Sequence, residues 1–484
     1  MLSSLLLAAT AAVSDPAALE RALAGVRPTS ICADVQFLAC DELEGRDTPS
    51  HGQRLAARYL RARLERLAFK ACGDDGGFFD HYQLQRTGLD TAASSAAWSA
   101  NGHETTLAFG DYLAYSGGER DLDGAVVYVG SGKAEDLRGL DLRGRWALTL
   151  DESAARGRAA WEEWNERVER VRATGALGLL NAPIPGSESA GERDERLARA
   201  GRSAGDTRLR APDAGGSRND RERGSDFPTI SVRSGLAHEW LGAGALPAVG
   251  SELAAHFHEH RKMLAPETLE LENVAGLWPG SDEKLAHEVL ILSAHYDHVG
   301  VQNGEVYNGA DDNGSGTSAL LAVAEALRSY GPLRRSVLLL WVSGEEKGLL
   351  GSRAWTLAPT LPEGYHAVAD LNVDMVGRNA PDKLLITPTE KLEEYNGLTR
   401  LAQALGASEG FPSLGSADEY WRRSDHMNFA DNLGIPVAFL FSGEHEDYHK
   451  PTDDSDKIDC DKIRRVVRLV LRMVDELQAD KLDL

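Results

Sequence analysis

Cysteine is scarce in this chain and poorly spaced for metal chemistry. There are four, Cys32, Cys40, Cys72 and Cys460, and no two form a CxxC pair. That excludes a cysteine-built zinc finger and a thioredoxin-like redox site, so any metal must be held by histidine and carboxylates. The even count permits one disulfide among Cys32, Cys40 and Cys72, and the spacing does not choose the pair. Positive charge is also short: 52 Lys and Arg stand against 75 Asp and Glu, a formal net charge of −23. Such a surface repels phosphate backbones, which argues against a nucleic-acid partner. Long apolar runs are missing as well, and no stretch after the first residues has the roughly 18 uninterrupted apolar positions that a membrane span needs.

What is present is length. At 484 residues the chain exceeds one ordinary hydrophobic core, so at least two domains are expected. Residues 1–13, rich in Leu and Ala and followed by Ser14-Asp15-Pro16, resemble the apolar region and cleavage zone of a secretory signal peptide, although no basic start precedes them. The expectation is a secreted or periplasmic protein.

From residue 30 to 70 the apolar spacing predicts helices, interrupted by a loop over 41–46. Between 88 and 250 short strands dominate (125–129, 146–150, 177–180, 229–232), with one helix over 159–174 capped by Gly175. Residues 186–226 are dense in Gly, Ser and charge and are read as a mobile loop. In His256-Phe257-His258-Glu259-His260 three histidines share one face of a strand, expected to be a solvated edge. From 269 onward strands and helices alternate, the signature of a three-layer α/β/α domain with a mostly parallel sheet. The expected organisation is therefore one α/β domain over 14–87 and 251–484, with an α+β insertion over 88–250.

Candidate ligands recur where successive strands end. An apolar run, 289–292, leads to His295 and Asp297; a Gly-rich loop carries Asp311-Asp312; strand 336–342 is followed by Glu345-Glu346, strand 367–373 by Asp374, and strand 437–441 by a loop reaching Tyr448-His449. In open α/β sheets this edge is where ligands bind. A lone histidine or acid at a strand end is ordinarily a cap or a surface charge; the set is what points to chemistry. Two histidines (His295, His449) and three carboxylates (Asp311, Glu346, Asp374) suit two zinc ions sharing one bridging carboxylate. Two such ions activate water and polarise a carbonyl. Glu345, beside the ligand Glu346, is then free to act as general base, and Tyr448 stands where it can donate to an oxyanion.

The segments HYDHVG, GADDNGSG, SGEEKGLLGS, NVDMVG and YHKPTDD, with LACDELEGRDTPSHG near the start, together resemble the motif series of the co-catalytic di-zinc aminopeptidases, the secreted bacterial leucyl-type and vacuolar enzymes. Glutamate carboxypeptidases and glutaminyl cyclases are more distant relatives. The resemblance implies two Zn2+ per chain and a peptide substrate. It further implies that Asp311 bridges the ions, His295 and Asp374 completing one and Glu346 and His449 the other. Glu345 would be the base, Asp297 would hydrogen-bond His295, and the Asp311–Asp312 peptide would be cis. Arg423-Ser424-Asp425-His426 resembles a pocket-wall segment. A carboxypeptidase-type or cyclase-type enzyme, or a metal-free binding protein, remains the alternative on this scaffold. Within the insertion, residues 140–148, 173–176 and 227–232 resemble a protease-associated domain, a module implied to influence which substrates enter.

Overall fold

The computed structural model describes residues 16–74, 76–100, 103–114, 118–151, 158–184, 187–211, 227–242 and 245–484. The segment expected to be a signal peptide, 1–13, lies outside them. The chain divides into two units, Met1–Leu84 with Leu269–Leu484, and Gln85–Thr268. No helix of the described residues is long and apolar enough to cross a membrane.

The main sheet of the first unit contains β1 (Phe79–Thr87), β2 (Glu267–Trp278), β3 (Glu288–His295), β4 (Ser336–Val342), β5 (His366–Asp374), β6 (Leu384–Thr387), β7 (Leu414–Ser416) and β8 (Val437–Phe441). They lie in the order β7-β6-β8-β5-β3-β4-β2-β1. β8, β5, β3 and β4 run parallel. The sheet is mixed on either side, because β2 meets β4 and β6 meets β8 antiparallel, whereas β7 is parallel to β6.

The helices of this unit are α1 (Pro16–Gly25), α2 (Pro28–Leu38), α3 (His51–Arg66), α4 (Gly316–Tyr330), α5 (Leu350–Leu357), α6 (Gly397–Gly406), α7 (His426–Leu433) and α8 (Cys460–Glu476). Alternate residues of the inner strands feed two different cores, as the pleat requires. Leu290, Leu292, Val337, Leu339 and Trp341 pack with residues of α1 to α4 and α8. Val289, Ile291, Leu338 and Leu340 pack with Trp355 of α5 and Phe429 of α7. This two-sided burial explains why β3 and β4 are apolar without alternation. α1, absent from the sequence reading, buries Ala18, Ala22 and Leu23 in the first core.

The disulfide joins Cys32 of α2 to Cys460 at the start of α8, leaving Cys40 and Cys72 free. The expectation limited to Cys32, Cys40 and Cys72 is thus corrected. A separation of 428 residues leaves no trace in local spacing, and the pairing follows from the packing of α8 on α2.

The second unit holds an eight-stranded sheet whose third strand, Glu252–Arg261, pairs on one side with Ser95–Ala100 and on the other with Arg120–Tyr128. The insertion therefore continues past the expected end at 250, and the histidine-bearing strand is interior rather than an edge. The span 186–226 is not one continuous loop. Glu188–Arg202 is a helix, with Ala190 and Leu197 buried, and Arg208–Arg210 is a strand; residues 212–226 lie outside the described part. Two widely spaced apolar residues were enough to seat a helix that composition alone disguised.

Candidate metal centre

The parallel strands β3, β4, β5 and β8 all end at one edge of the sheet, and their C-terminal residues open the site. His295 is the last residue of β3 and Asp374 the last of β5. Glu345 and Glu346 follow β4 across Ser343 and Gly344; Gly344 turns with φ of +70°, a backbone region glycine enters without strain. His449 closes the loop after β8.

The early connecting segment 41–50 acts as the brace. Arg46, fully buried, donates from Nε to the Tyr296 carbonyl (2.9 Å), from Nη1 to the carbonyls of Asn308 (2.7 Å) and Leu38, and from Nη2 to the Gly309 carbonyl (3.0 Å). One guanidinium so ties the loop bearing His295 to the loop bearing Asp312. Burial lowers its pKa to about 10, still far above neutrality, and the charge persists. Thr48 Oγ1 donates to Asp297 Oδ2 (2.9 Å) and accepts from the Gly344 backbone N–H (3.1 Å).

Asp312 lies at the centre. Its Oδ1 is 3.4 Å from His295 Nε2, and its Oδ2 is 3.1 Å from His449 Nε2. Asp374 Oδ1 is 3.3 Å from His295 Nε2, and Glu346 Oε2 is 3.1 Å from His449 Nε2. His298 joins the second side, its Nδ1 2.9 Å from Glu346 Oε1 and 3.7 Å from Asp312 Oδ2. The groupings are thus His295, Asp312 and Asp374 on one side, and His298, Asp312, Glu346 and His449 on the other, the atoms of each lying within 4.8 Å of one another.

Four of the five expected ligand positions, His295, Glu346, Asp374 and His449, converge here. Asp311 does not. Its Oδ1 accepts from the Gly377 backbone N–H (2.6 Å), and its Oδ2 is 3.3 Å from His445 Nε2. Adjacent side chains of an extended segment point opposite ways; Asp312 is extended (φ −102°, ψ 97°), so Asp312 facing the site sends Asp311 away from it. Asp453 fixes this register by accepting the backbone N–H groups of Asp311 (3.1 Å) and Asp312 (3.1 Å). The cis peptide is correspondingly Asp312–Asn313, not Asp311–Asp312. Two consecutive aspartates look alike in sequence, and only the backbone tells them apart.

Asp297 also differs from expectation in detail. His295 Nδ1 meets the Asp297 backbone carbonyl at 3.2 Å, while the carboxylate stands 3.7 Å away. The Asp297 carboxylate instead accepts from Thr48 and from the Glu345 backbone N–H (3.3 Å). Tyr448 stacks on His449 with ring centroids 4.0 Å apart. Two supports went unread in the sequence. Ser424 donates to Asp374 Oδ2 (2.9 Å) and accepts from Asn372 Nδ2 (2.9 Å), which gives the Arg423–His426 segment a position beside a site carboxylate. His298 was passed over although it follows His295 by three residues.

The donor chemistry fits a cation. Burial works against charge throughout, yet His295, His298 and His449 hold Asp312 well below the usual carboxylate range. Burial also opposes the imidazolium of His449, but Asp312 and Glu346 raise its pKa to about 10, and Asp374 and Glu345 carry His295 well above its usual value. The cluster demands positive charge, which protons on the imidazoles or a bound cation can supply. His449 Nε2 stands 3.1 Å from two carboxylates without forming a hydrogen bond to either, the arrangement of atoms aimed at a common point. Imidazole nitrogens and carboxylate oxygens are zinc ligands. Glu345 belongs to neither grouping, and burial, reinforced by Glu346, Asp425 and Asp374, pushes its carboxyl well above the usual range.

Comparisons with known proteins bear on the family and on the fold. "Probable leucine aminopeptidase" of Arthroderma otae is 28% identical over 215 residues, which are 42% of this chain and 57% of that protein; the match spans little more than half of the curated relative. Among solved structures, an aminopeptidase from Aneurinibacillus sp. strain AM-1 superposes with a TM-score of 0.57 at 20% identity, covering 94% of this chain and 95% of that one. BSAP, a zinc aminopeptidase from Bacillus subtilis, does so with a TM-score of 0.51 at 19% identity, covering 93% and 95%. These two likenesses are of fold. The segment that supplies every residue of both groupings, 273–474, matches Peptidase family M28, and the resemblance drawn from the motifs is borne out.

Proposed function

We propose that this protein is a two-zinc aminopeptidase that removes N-terminal residues from peptides. The observation that carries the reading is Asp312, whose two carboxylate oxygens face imidazoles on opposite sides. In this reading His295, Asp312 and Asp374 would hold one ion, and Asp312, Glu346 and His449 would hold the other. Asp312 thereby takes the bridging place expected of Asp311. When bound, the zinc pair supplies Lewis acidity to the scissile carbonyl and lowers the pKa of water toward 7.

The chain's own groups do the rest. Glu345 takes the proton from the attacking water and delivers it to the leaving amine, and its raised pKa suits a group that must both accept and release a proton. The Asp297 carboxylate positions Glu345 through its backbone N–H, and the Asp297 carbonyl fixes the tautomer and ring orientation of His295. Tyr448, held by its stack on His449, donates to the developing oxyanion. The insertion is read as a protease-associated module that influences substrate choice. The Cys32–Cys460 disulfide suits an oxidising compartment, which supports export.

The test is metal analysis together with a dipeptide panel. Close to two zinc per chain, loss of hydrolysis on chelation, and cleavage of free-amine but not N-blocked dipeptides are expected. Cleavage that requires a free C-terminal carboxylate, indifferent to the N-terminus, would replace the aminopeptidase by a carboxypeptidase.

A further inference from the structure

The two halves of the centre are unequal. The His295 side offers three residues and the His449 side offers four, the extra one being His298. His298 is fully buried and is seated by its surroundings. A Cβ at Gly309 would lie 2.4 Å and 2.5 Å from His298 Cγ and Cδ2, so the ring fits flush against a backbone that has room for nothing larger than glycine. Its backbone N–H donates to the Arg46 carbonyl (3.3 Å), which anchors the residue to the brace loop.

Nδ1 of the ring is engaged by Glu346 within the cluster, and no hydrogen bond draws the ring elsewhere among the described residues. Nε2 is buried without a hydrogen-bond partner among the described residues. Nδ1 is directed at Glu346 Oε1 (2.9 Å) and lies 3.7 Å from Asp312 Oδ2. His449 Nε2 approaches the same two carboxylates, at 3.1 Å from Glu346 Oε2 and 3.1 Å from Asp312 Oδ2, and its ring meets that of His298 edge to face with centroids 5.5 Å apart. Two imidazoles thus face one pair of carboxylates. Four zinc-compatible donor atoms around one point make a closed site, whereas three leave a position open for water or substrate.

We propose that His298 is a fourth protein ligand to the ion held by Asp312, Glu346 and His449. That ion then binds first and tightest, and the three-residue group of His295, Asp312 and Asp374 keeps the open position. The inference rests on the two-ion reading above but assigns the halves different roles.

The test separates the two. Metal-free protein is loaded with one equivalent of zinc, and X-ray absorption counts the imidazoles around it. Two imidazoles, from His298 and His449, are expected; one imidazole in that spectrum overturns the proposal and makes His298 at most an orienting group for Glu346. A second equivalent is then added. Failure of the protein to take it up defeats the two-ion reading, whatever the first spectrum shows. His298→Ala, followed by cobalt titration in the visible range, should weaken the first binding step by more than the 10- to 100-fold typical of losing an orienting partner and leave the second step in place. An unchanged first step also overturns the proposal. The spectrum of the unmodified protein decides the matter even if the variant fails to fold.

Discussion

Among the described residues, histidines and carboxylates meet both in the insertion and at the sheet edge of the first unit, and it is the sheet edge that reads as a metal site. In the insertion, His258 Nε2 lies 2.6 Å from Asp121 Oδ1 and His260 Nδ1 lies 3.5 Å from Asp121 Oδ2, with the side chains of His258 and Asp121 45% and 66% exposed. Water solvates these groups, and one carboxylate serves both rings. At the sheet edge of the first unit the side chains of His295, His298 and Asp312 are 1%, 0% and 5% exposed. Their atoms approach one another while several hydrogen-bond valences stay unfilled. Three histidines at alternate positions of a strand are thus a weaker signal than single residues delivered by separate loops to one buried point, because burial makes an unfilled valence costly and convergence lets one cation fill several.

The largest expected effect tests which aspartate sits at that point. Asp312→Asn should remove both ions and essentially all hydrolysis, since each three-donor group loses a shared anchor. Asp311→Asn should retain about two ions per chain, because Asp311 is engaged by Gly377 and His445. Metal analysis of the two variants side by side decides between them, and an emptied Asp311→Asn beside a loaded Asp312→Asn would restore the reading drawn from sequence.

Next in size is Glu345→Gln. It should keep the metal and the fold while losing 10²- to 10⁴-fold in kcat, roughly 3 to 5 kcal/mol of barrier. Normal turnover by a metal-replete variant would leave Glu345 without a role.

The parts of the site that were visible in advance are those carried by strand ends. An apolar run announces an interior parallel strand, and the residues at and just beyond its end are placed by that fact; hence His295 and Asp374 at strand ends and Glu346 a few residues past one were readable. Asp311 against Asp312 was not, because the choice depends on a backbone turn pinned by Asp453, more than 140 residues away. His298 was invisible because nothing in sequence reveals that Gly309 leaves room for its ring. The chain boundaries suffered similarly. Residues 252–261 read as the start of the second half of the peptidase domain, yet their pairing partners lie in the insertion.

The disulfide belongs to this long-range class, and its removal should have a moderate effect. Cys32→Ser frees α2 from α8 across 428 residues of chain. A stability loss of about 2–4 kcal/mol is expected from the released unfolded ensemble. Denaturant unfolding under oxidising conditions measures it, and metal content should be unaltered. Equal midpoints for the two proteins would mean that the bond adds nothing to the packing already present.

The smallest effect is expected at the histidine strand of the insertion. His258 and His260 both lean on Asp121, and the three side chains are 45%, 33% and 66% exposed, so water reaches each of them whether or not its partner is present. Exposed ion pairs of this kind contribute little to stability, since screening by solvent cancels most of the attraction. Their positions also differ from the sheet-edge site in supply of donors: one carboxylate faces two rings, leaving too few oxygens for a cation that the surrounding water would otherwise hold. Replacing both His258 and His260 with Ala should therefore leave the zinc count, the rate of dipeptide hydrolysis and the thermal midpoint close to those of the parent protein. A drop in bound zinc in that double variant, measured after the same desalting, would show that this strand holds metal after all, and would break the contrast between an exposed, self-paired cluster and a buried, convergent one.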